Sequence, residues 1–452
     1  MVFAISYWLL ASLKDLLKFS KGEKRMSKVV VVGGGWSGVA AALTARKAGA
    51  EVTLLERADM FLGTGLVGGI MRNNGRFVAT EESIAMGAHE LFDAVDETAR
   101  HKNLEFPGHK HATLYDVAKI EPAVKRKLEE AGVNYKLKCR IKDVKMAGSK
   151  IIAVIDEEGK EYTADVFVET TGTAGPQGNC LKYGNGCAMC VLRCPTFGPR
   201  IALATKCGVE EFMGKKVDGS FGAMSGSCKL HMESLSEDIQ RQLYTKGVAV
   251  VPIPKELQKE GALESKACQQ YALAEFKENV ILLDTGHAKL MSPFYPLNML
   301  RRIPGFENAR FEDPYSGSIG NSMRYLALSP RDNYLKTQGV DNLFCGGEKA
   351  GLLVGHTEAI VTGSLAGHNA VRHAVGQELV EIPSSLAIGD AISYVNEQMK
   401  TEEGLAKKYT FSGSVYFERM KESGLYTTDV EAIKQRVEDA GLTGIYNKKV
   451  VK

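Results

Sequence analysis

The clearest pattern in the chain is a short, unbroken β-branched run. Lys28 to Val32 (KVVVV) has no polar alternation, and glycines close it at once. A run of that kind reads as a parallel strand buried on both faces. The helix-compatible stretch Val39 to Ala48 (VAAALTARKA) follows, and then a second strand, Glu51 to Leu55 (EVTLL). Further along, Ala164 to Thr171 (ADVFVETT) reads as a strand, and Asn342 to Gly351 (NLFCGGEKAG) as a strand and a turn. Thr357 to Arg372 (TEAIVTGSLAGHNAVR) reads as one uninterrupted helix. Helical spacing returns at Ala391–Lys400 and Asp429–Ala440, with a break near Phe411-Ser412-Gly413. Strands alternating with helices of this length predict an α/β fold.

The glycines give the first unit its chemistry. Gly33-x-Gly35-x-x-Gly38 sits between strand and helix, and Trp36 and Ser37 fill the positions between the last two glycines. Gly33 permits the tight turn, Gly35 lets the backbone approach a pyrophosphate, and Gly38 permits close helix–strand packing. The helix N-terminus then offers free N–H groups and the positive end of a dipole to phosphates. Glu56, eighteen residues after Gly38, is placed to accept from ribose hydroxyls, and Arg57 follows it.

Three later segments favour FAD over NAD. Phe61 to Gly69 (FLGTGLVGG), with Gly63 in its turn, suits a backbone running beside a long cofactor. Gly172 ends the 164–171 strand and marks another close approach. In the last strand–turn unit Gly347 frees the backbone and Glu348 could hold a polyol chain. The helix start at Gly355-His356-Thr357 could stabilise negative charge on a reduced ring. The Gly63-x-Gly65-x-x-Gly68 spacing inside the Phe61 to Gly69 stretch lies too near the first motif to start a new domain, so a separate pyridine-nucleotide domain is not expected.

In the order VVVVGGGWSG, Glu56, FLGTGLVGG, VFVETTG, LFCGGEKAG, the chain resembles the glutathione-reductase-type two-part FAD fold. More narrowly it resembles FAD-dependent oxidoreductases that include the heterodisulfide reductase A-subunit flavoproteins. The part from Phe306 through Arg372 is similar to flavoproteins that modify tRNA uridines. The resemblance implies FAD as cofactor. It departs at the family's ATGD-like strand end, which here reads Glu169-Thr170-Thr171-Gly172.

Four of the nine cysteines, Cys180, Cys187, Cys190 and Cys194, fall in NCLKYGNGCAMCVLRCP. The C-x₂-C-x₃-C-P core has ferredoxin-like spacing. The expected reading is a [4Fe–4S] relay on all four thiols. A redox dithiol of Cys187 and Cys190, structural zinc, or plain packing are the alternatives. Cys187, Cys190 and His356 are the candidate catalytic residues. Cys139, Cys207, Cys228, Cys268 and Cys345 read as core.

These marks divide the chain into an N-terminal extension (1–26), an FAD-binding part (27–175), an inserted α+β cap (176–335), a second FAD-binding part (336–376) and a helical C-terminal appendage (377–452). The cap carries Arg193, Arg200, His231, His287, Lys289, Tyr295, Arg301, Arg302, Arg324 and Arg331 as carboxylate clamps or general acids. A formal net charge of +3 over 452 residues gives no electrostatic case for a nucleic-acid partner, so none is expected. The expected partners are a small-molecule substrate, a ferredoxin-like or other redox protein, and a second copy of the chain. The cysteine pattern is not that of a secreted disulfide scaffold, and the cytoplasm is the expected compartment. Residues 2–20 are apolar then basic, too short for the ~20-residue span of a membrane helix. They suit a peripheral membrane contact, a packed helix or an upstream start. The function expected first is an FAD-dependent oxidoreductase acting on a small substrate. The alternatives are an electron-transfer subunit of a larger redox complex and a tRNA-modifying flavoprotein.

Overall fold

The computed structural model describes residues 26–172, 200–215, 219, 223–224, 229–258, 273–291, 295–312, 323–324 and 326–451. The valine run becomes β1 (Lys28–Val32), followed by α1 (Trp36–Lys47) and β2 (Glu51–Leu55). Helix α2 (Arg76–Ala85) comes next, then β3 (Asn134–Lys136), β4 (Val166–Glu169), β5 (Leu343–Cys345) and α3 (His356–Ala374). The five strands form one parallel sheet in the order β5-β4-β1-β2-β3. The strand order turns back between β1 and β4, and open α/β sheets bind their ligands at the strand ends of such a point.

Both faces of the sheet are covered, which is why β1 is continuously apolar. Val29 and Val31 pack into the core that holds α1 and α3. Val30 and Val32 pack with Phe167 and Leu343 against Ile141, Ile151 and Val154. Those last residues belong to a three-stranded antiparallel meander, Ile141–Ala147, Lys150–Asp156 and Glu161–Thr163, whose strands the sequence pattern did not reveal. Two register shifts between its first two strands interrupt the alternation that would mark it in the sequence.

Between β4 and β5 lies an antiparallel four-stranded sheet ordered Lys229–Leu230, Ala288–Leu290, Asn279–Asp284, Val248–Pro252. It shares a core with a smaller three-stranded sheet through Leu104, Phe106, Leu114, Phe276, Ile281 and Leu283. The buried carboxylate of Asp284 adds a polar tie, taking Arg100 Nε at 2.7 Å and lying 2.9 Å from His101 Nε2.

The C-terminal helices α4 (Ala387–Gln398), α5 (Ser414–Glu422) and α6 (Val430–Asp439) join the same core as α1 and α3. The sequence marked a break at 411–413 but not the α5 helix that begins immediately after it. Two buried polar ties explain the arrangement. Arg331 donates to the carbonyls of Ala350 (2.5 Å) and Ile392 (2.9 Å), so it is a structural brace and no substrate clamp. Arg76 and Glu358 pair at 3.1 Å with side chains only 4% and 0% exposed. Glu358 also accepts from the Thr410 hydroxyl at 2.7 Å and Phe411 N at 2.9 Å. Among the described residues no helix is long and apolar enough to cross a membrane. Residues 2–20 lie outside the described residues.

Glu82 on α2 is fully buried and accepts from Ala387 N (2.8 Å) and Ile388 N (3.0 Å) at the start of α4. Burial pushes its carboxyl up to about 7, with the two N–H groups and Arg436 opposing. A folded-state value above the unfolded one means the native protein holds this proton more tightly. The stabilisation is therefore full below the unfolded pKa and is lost as pH rises through about 7. Urea unfolding at pH 5 and pH 8 should show wild type losing up to about 3 kcal/mol more than Glu82→Gln. Parallel pH profiles for the two proteins would refute this.

Candidate cofactor site

The loop after β1 is shaped by what a Cβ would strike. Gly33 has φ +105°, and a Cβ there would lie 2.4 Å from the carbonyl oxygen of Thr170, the residue after β4. A Cβ on Gly38 would lie 1.8 Å from the Gly33 oxygen. At Gly35, by contrast, nothing among the described residues comes within 4 Å of the Cβ position, so they leave the loop open on that side. Gly35 caps α1 with no side-chain acceptor for the leading N–H groups. These are the properties of a backbone anion cradle.

Three further groups surround the cradle. The buried Ser37 hydroxyl has no hydrogen-bond partner among the described residues. Glu56, half-buried, accepts from Gly34 N at 2.6 Å and Ala58 N at 2.8 Å, which fixes the carboxylate against the loop. Arg57, also half-buried, follows it outside the strand. The second glycine stretch does run alongside: Leu62 N donates to the Gly34 oxygen at 2.8 Å, and Gly35 bridges Leu62 in parallel. Gly63 again has no atom of the described residues within 4 Å of its Cβ position.

The second half of the site arrives with β5 and α3. Gly346 N donates to the Glu169 carbonyl at 3.0 Å, which seats the 346–348 turn beside β4. Cβ positions on Gly346 and Gly347 would lie 2.5 Å from Ser37 Oγ and 3.0 Å from Ser37 Cβ. Glu348 is thereby brought, half-buried, to the N-terminus of α1. His356 opens α3, with its Nδ1 3.3 Å from the Tyr115 hydroxyl and its ring 6.1 Å from that of Trp36. Thr357 turns into the protein wall, its hydroxyl 3.6 Å from Met71 Sδ. Gly172 has φ +78°, and the Arg200 guanidinium lies 3.8 Å from its Cβ position.

The remaining sequence candidates fall apart from this set. Lys289 is buried and donates to the carbonyls of Val67 (2.6 Å) and Gly68, tying the four-stranded sheet to the glycine stretch. The Tyr295 hydroxyl is taken up by Leu257 O at 2.9 Å, and Arg301 Nε by Ala309 O at 3.0 Å. His287 lies 2.6 Å from a Glu312 oxygen, and burial together with Lys229 pushes it down to about 4. His231 lies 3.5 Å from Glu233, while Arg302 is exposed. Cys345 and Cys139 are core residues, as read. Arg193, Cys180, Cys187, Cys190 and Cys194 lie outside the described residues, as do Cys228, Cys268 and the Arg324 side chain. Among the described residues no group of three or more His, Cys, Asp or Glu side chains could hold a metal ion.

Missed by the sequence reading were Tyr115, Arg76 and the partners of Glu169. Glu169 is no substitute for the expected aspartate at the strand end. Its carboxylate turns inward to Leu203 N and Ala204 N at 2.8 and 2.9 Å. No local pattern marks these contacts, because Glu169 and Leu203, Arg76 and Glu358, and Tyr115 and His356 lie 34, 282 and 241 positions apart.

The profile of the family described as "Glucose inhibited division protein A" matches residues 28–294 and 290–378. The chain belongs to that family. A crystal structure of GidA from Aquifex aeolicus superposes with a TM-score of 0.65 at 19% identity, over 93% of this chain and 74% of that one. The fold is thus the FAD-binding Rossmann-type α/β fold of GidA, with a helical C-terminal part. Two curated relatives share the name methylenetetrahydrofolate–tRNA-(uracil-5-)-methyltransferase TrmFO. The one from Caldicellulosiruptor bescii is 32% identical over 114 residues, 25% of each chain. The one from Bacillus cereus is 36% identical over 100 residues, 22% of each chain. The chain spans about a quarter of the length of the curated relatives it matches.

These matches correct two expectations. The narrower resemblance to heterodisulfide reductase A-subunits gives way to the GidA family, and nothing in the matches points to an iron–sulfur relay. The expectation that nucleic acid is not a partner is overturned by family membership together with relatives named for a tRNA substrate. It rested on net charge, which averages over the whole surface and hides local patches.

Gly35 and Gly38 make a paired test of the cradle. Gly35→Ala should change stability by less than about 1 kcal/mol yet weaken FAD binding at least about tenfold in a flavin fluorescence titration. Gly38→Ala should destabilise by at least about 2 kcal/mol in thermal melts. Wild-type FAD affinity in Gly35→Ala would refute the assignment.

Proposed function

We propose that this chain is an FAD-dependent enzyme that modifies a uridine base of tRNA. Membership of the GidA family across residues 28–378 carries the reading. The relatives named for uracil methylation in tRNA support its substrate class. The cradle supports its cofactor, since among the described residues Gly35 faces open space and the buried Ser37 hydroxyl has no hydrogen-bond partner. When bound, FAD supplies hydride or electron-pair transfer.

The chain's own residues divide the work. The N–H groups at the start of α1 and the Ser37 hydroxyl would hold the diphosphate, with Gly33 and Gly38 shaping their loop. Glu56 would take the ribose hydroxyls on lone pairs left over from Gly34 and Ala58. Glu348, across from the Ser37 helix start, would hold the polyol chain, with Gly63, Gly172 and Gly347 allowing backbone approach. His356, at the positive end of α3 and beside the Tyr115 hydroxyl, would hold a proton near the reacting ring. A base inside a folded RNA must leave its stack to be reached.

Purified protein should show flavin absorbance. With FAD, a reductant, a one-carbon donor and unmodified tRNA it should give a mass change on one uridine by nucleoside mass spectrometry. Glu348→Ala should weaken FAD binding by about tenfold, read by flavin fluorescence. A bound flavin that turns over small substrates while tRNA stays unchanged would overturn the substrate class.

A further inference from the structure

Behind the 346–348 turn, three charged side chains meet almost without solvent. Lys349 lies between Glu211 and Glu169, and all three side chains are at most 1% exposed. The Lys349 Nζ donates to Glu211 Oε1 and stands 3.8 Å from Glu169 Oε1. Glu169 also accepts from the Thr171 hydroxyl at 2.9 Å, besides the N–H groups of Leu203 and Ala204. Glu211 Oε2 accepts from the Thr205 hydroxyl at 3.0 Å.

Full ionisation of the three leaves one uncompensated negative charge in a dry pocket, an arrangement that favours holding a proton. Burial pushes Glu169 above the usual carboxylate range, and Glu211 adds to that against the pull of Lys349. The other titratable groups facing the cluster keep one charge state near neutrality. Burial drives the thiols of Cys207 and Cys345 up to about 12. Arg331, lowered by burial to about 10, stays cationic.

The cluster is wired to the cofactor cradle. Gly346 N is bonded to the Glu169 carbonyl, Gly346 and Gly347 abut Ser37, and Lys349 directly follows Glu348. We infer that loading FAD into the cradle is coupled to uptake of one proton by the buried Glu169 carboxylate, with Glu211 as its like-charged neighbour across Lys349. The inference rests on the FAD reading above. A diphosphate brings two negative charges to the front of a turn whose back already carries an excess carboxylate. The complex therefore favours the proton-carrying form.

The test is calorimetric titration of FAD into flavin-free full-length protein at pH 7.5 in HEPES and in Tris, whose ionisation enthalpies differ. A parallel fluorescence titration from pH 6 to 8 gives the affinity. The binding enthalpy should depend on the buffer with a slope approaching one proton, and Kd should rise by up to about tenfold per pH unit. Glu211→Gln should still bind FAD while both dependences vanish. Glu169→Gln serves the same purpose should the first variant fold poorly. FAD binding with a buffer-independent enthalpy in wild type would overturn the inference and leave the flavin reading standing. No FAD binding at all would overturn both.

Discussion

The contact on which the site depends is the backbone approach of α1 to α3. A Cβ on Gly363 would lie 2.1 Å from the Ser37 carbonyl oxygen, and one on Gly367 would lie 2.1 Å from that of Ala41. The Thr44 hydroxyl then reaches the Ser364 oxygen at 2.9 Å. Residues four apart on one helix therefore meet residues four apart on the other, with no side chain between them. Because α1 starts the phosphate cradle and α3 starts at His356, this one crossing sets the distance between the two halves of the site. The 346–348 turn, pressed on Ser37, inherits its place from the same crossing.

Around this axis the protein uses buried polar ties to attach segments that are remote in sequence. Arg76–Glu358 joins α2, α3 and the 410–411 segment. Arg331 joins the 350 turn to α4. Each tie has several partners, so removing one member would strand the others without solvent, and such networks hold a single arrangement. The C-terminal helices are consequently part of the cofactor-bearing core.

Local grammar was what the sequence exposed. β1 and β2 stand where the apolar runs placed them, because a doubly covered parallel strand has no other way to be written. Helix α3 extends only one or two residues beyond its expected ends. The glycines and Glu56 were legible since each answers a steric or charge demand within one βαβ unit. The meander, α5 and the buried charge ties were not, because their logic lies in partners across the chain. Glu169 illustrates the limit. As a letter it looked like a lost aspartate, and only the fold shows that it faces Lys349 and the 203–204 backbone. Net charge misled for a related reason, since it carries no spatial information.

Glu56 has a consequence beyond its place in the motif. Both of its oxygens already hold backbone N–H groups, one from the phosphate loop and one from its own turn. The loop is therefore braced in a receptive shape before any nucleotide arrives. Its ordering entropy is lost during folding and does not weigh against association. Affinity then comes from a rigid receptor, and exchange of the bound molecule need not wait on the loop to refold.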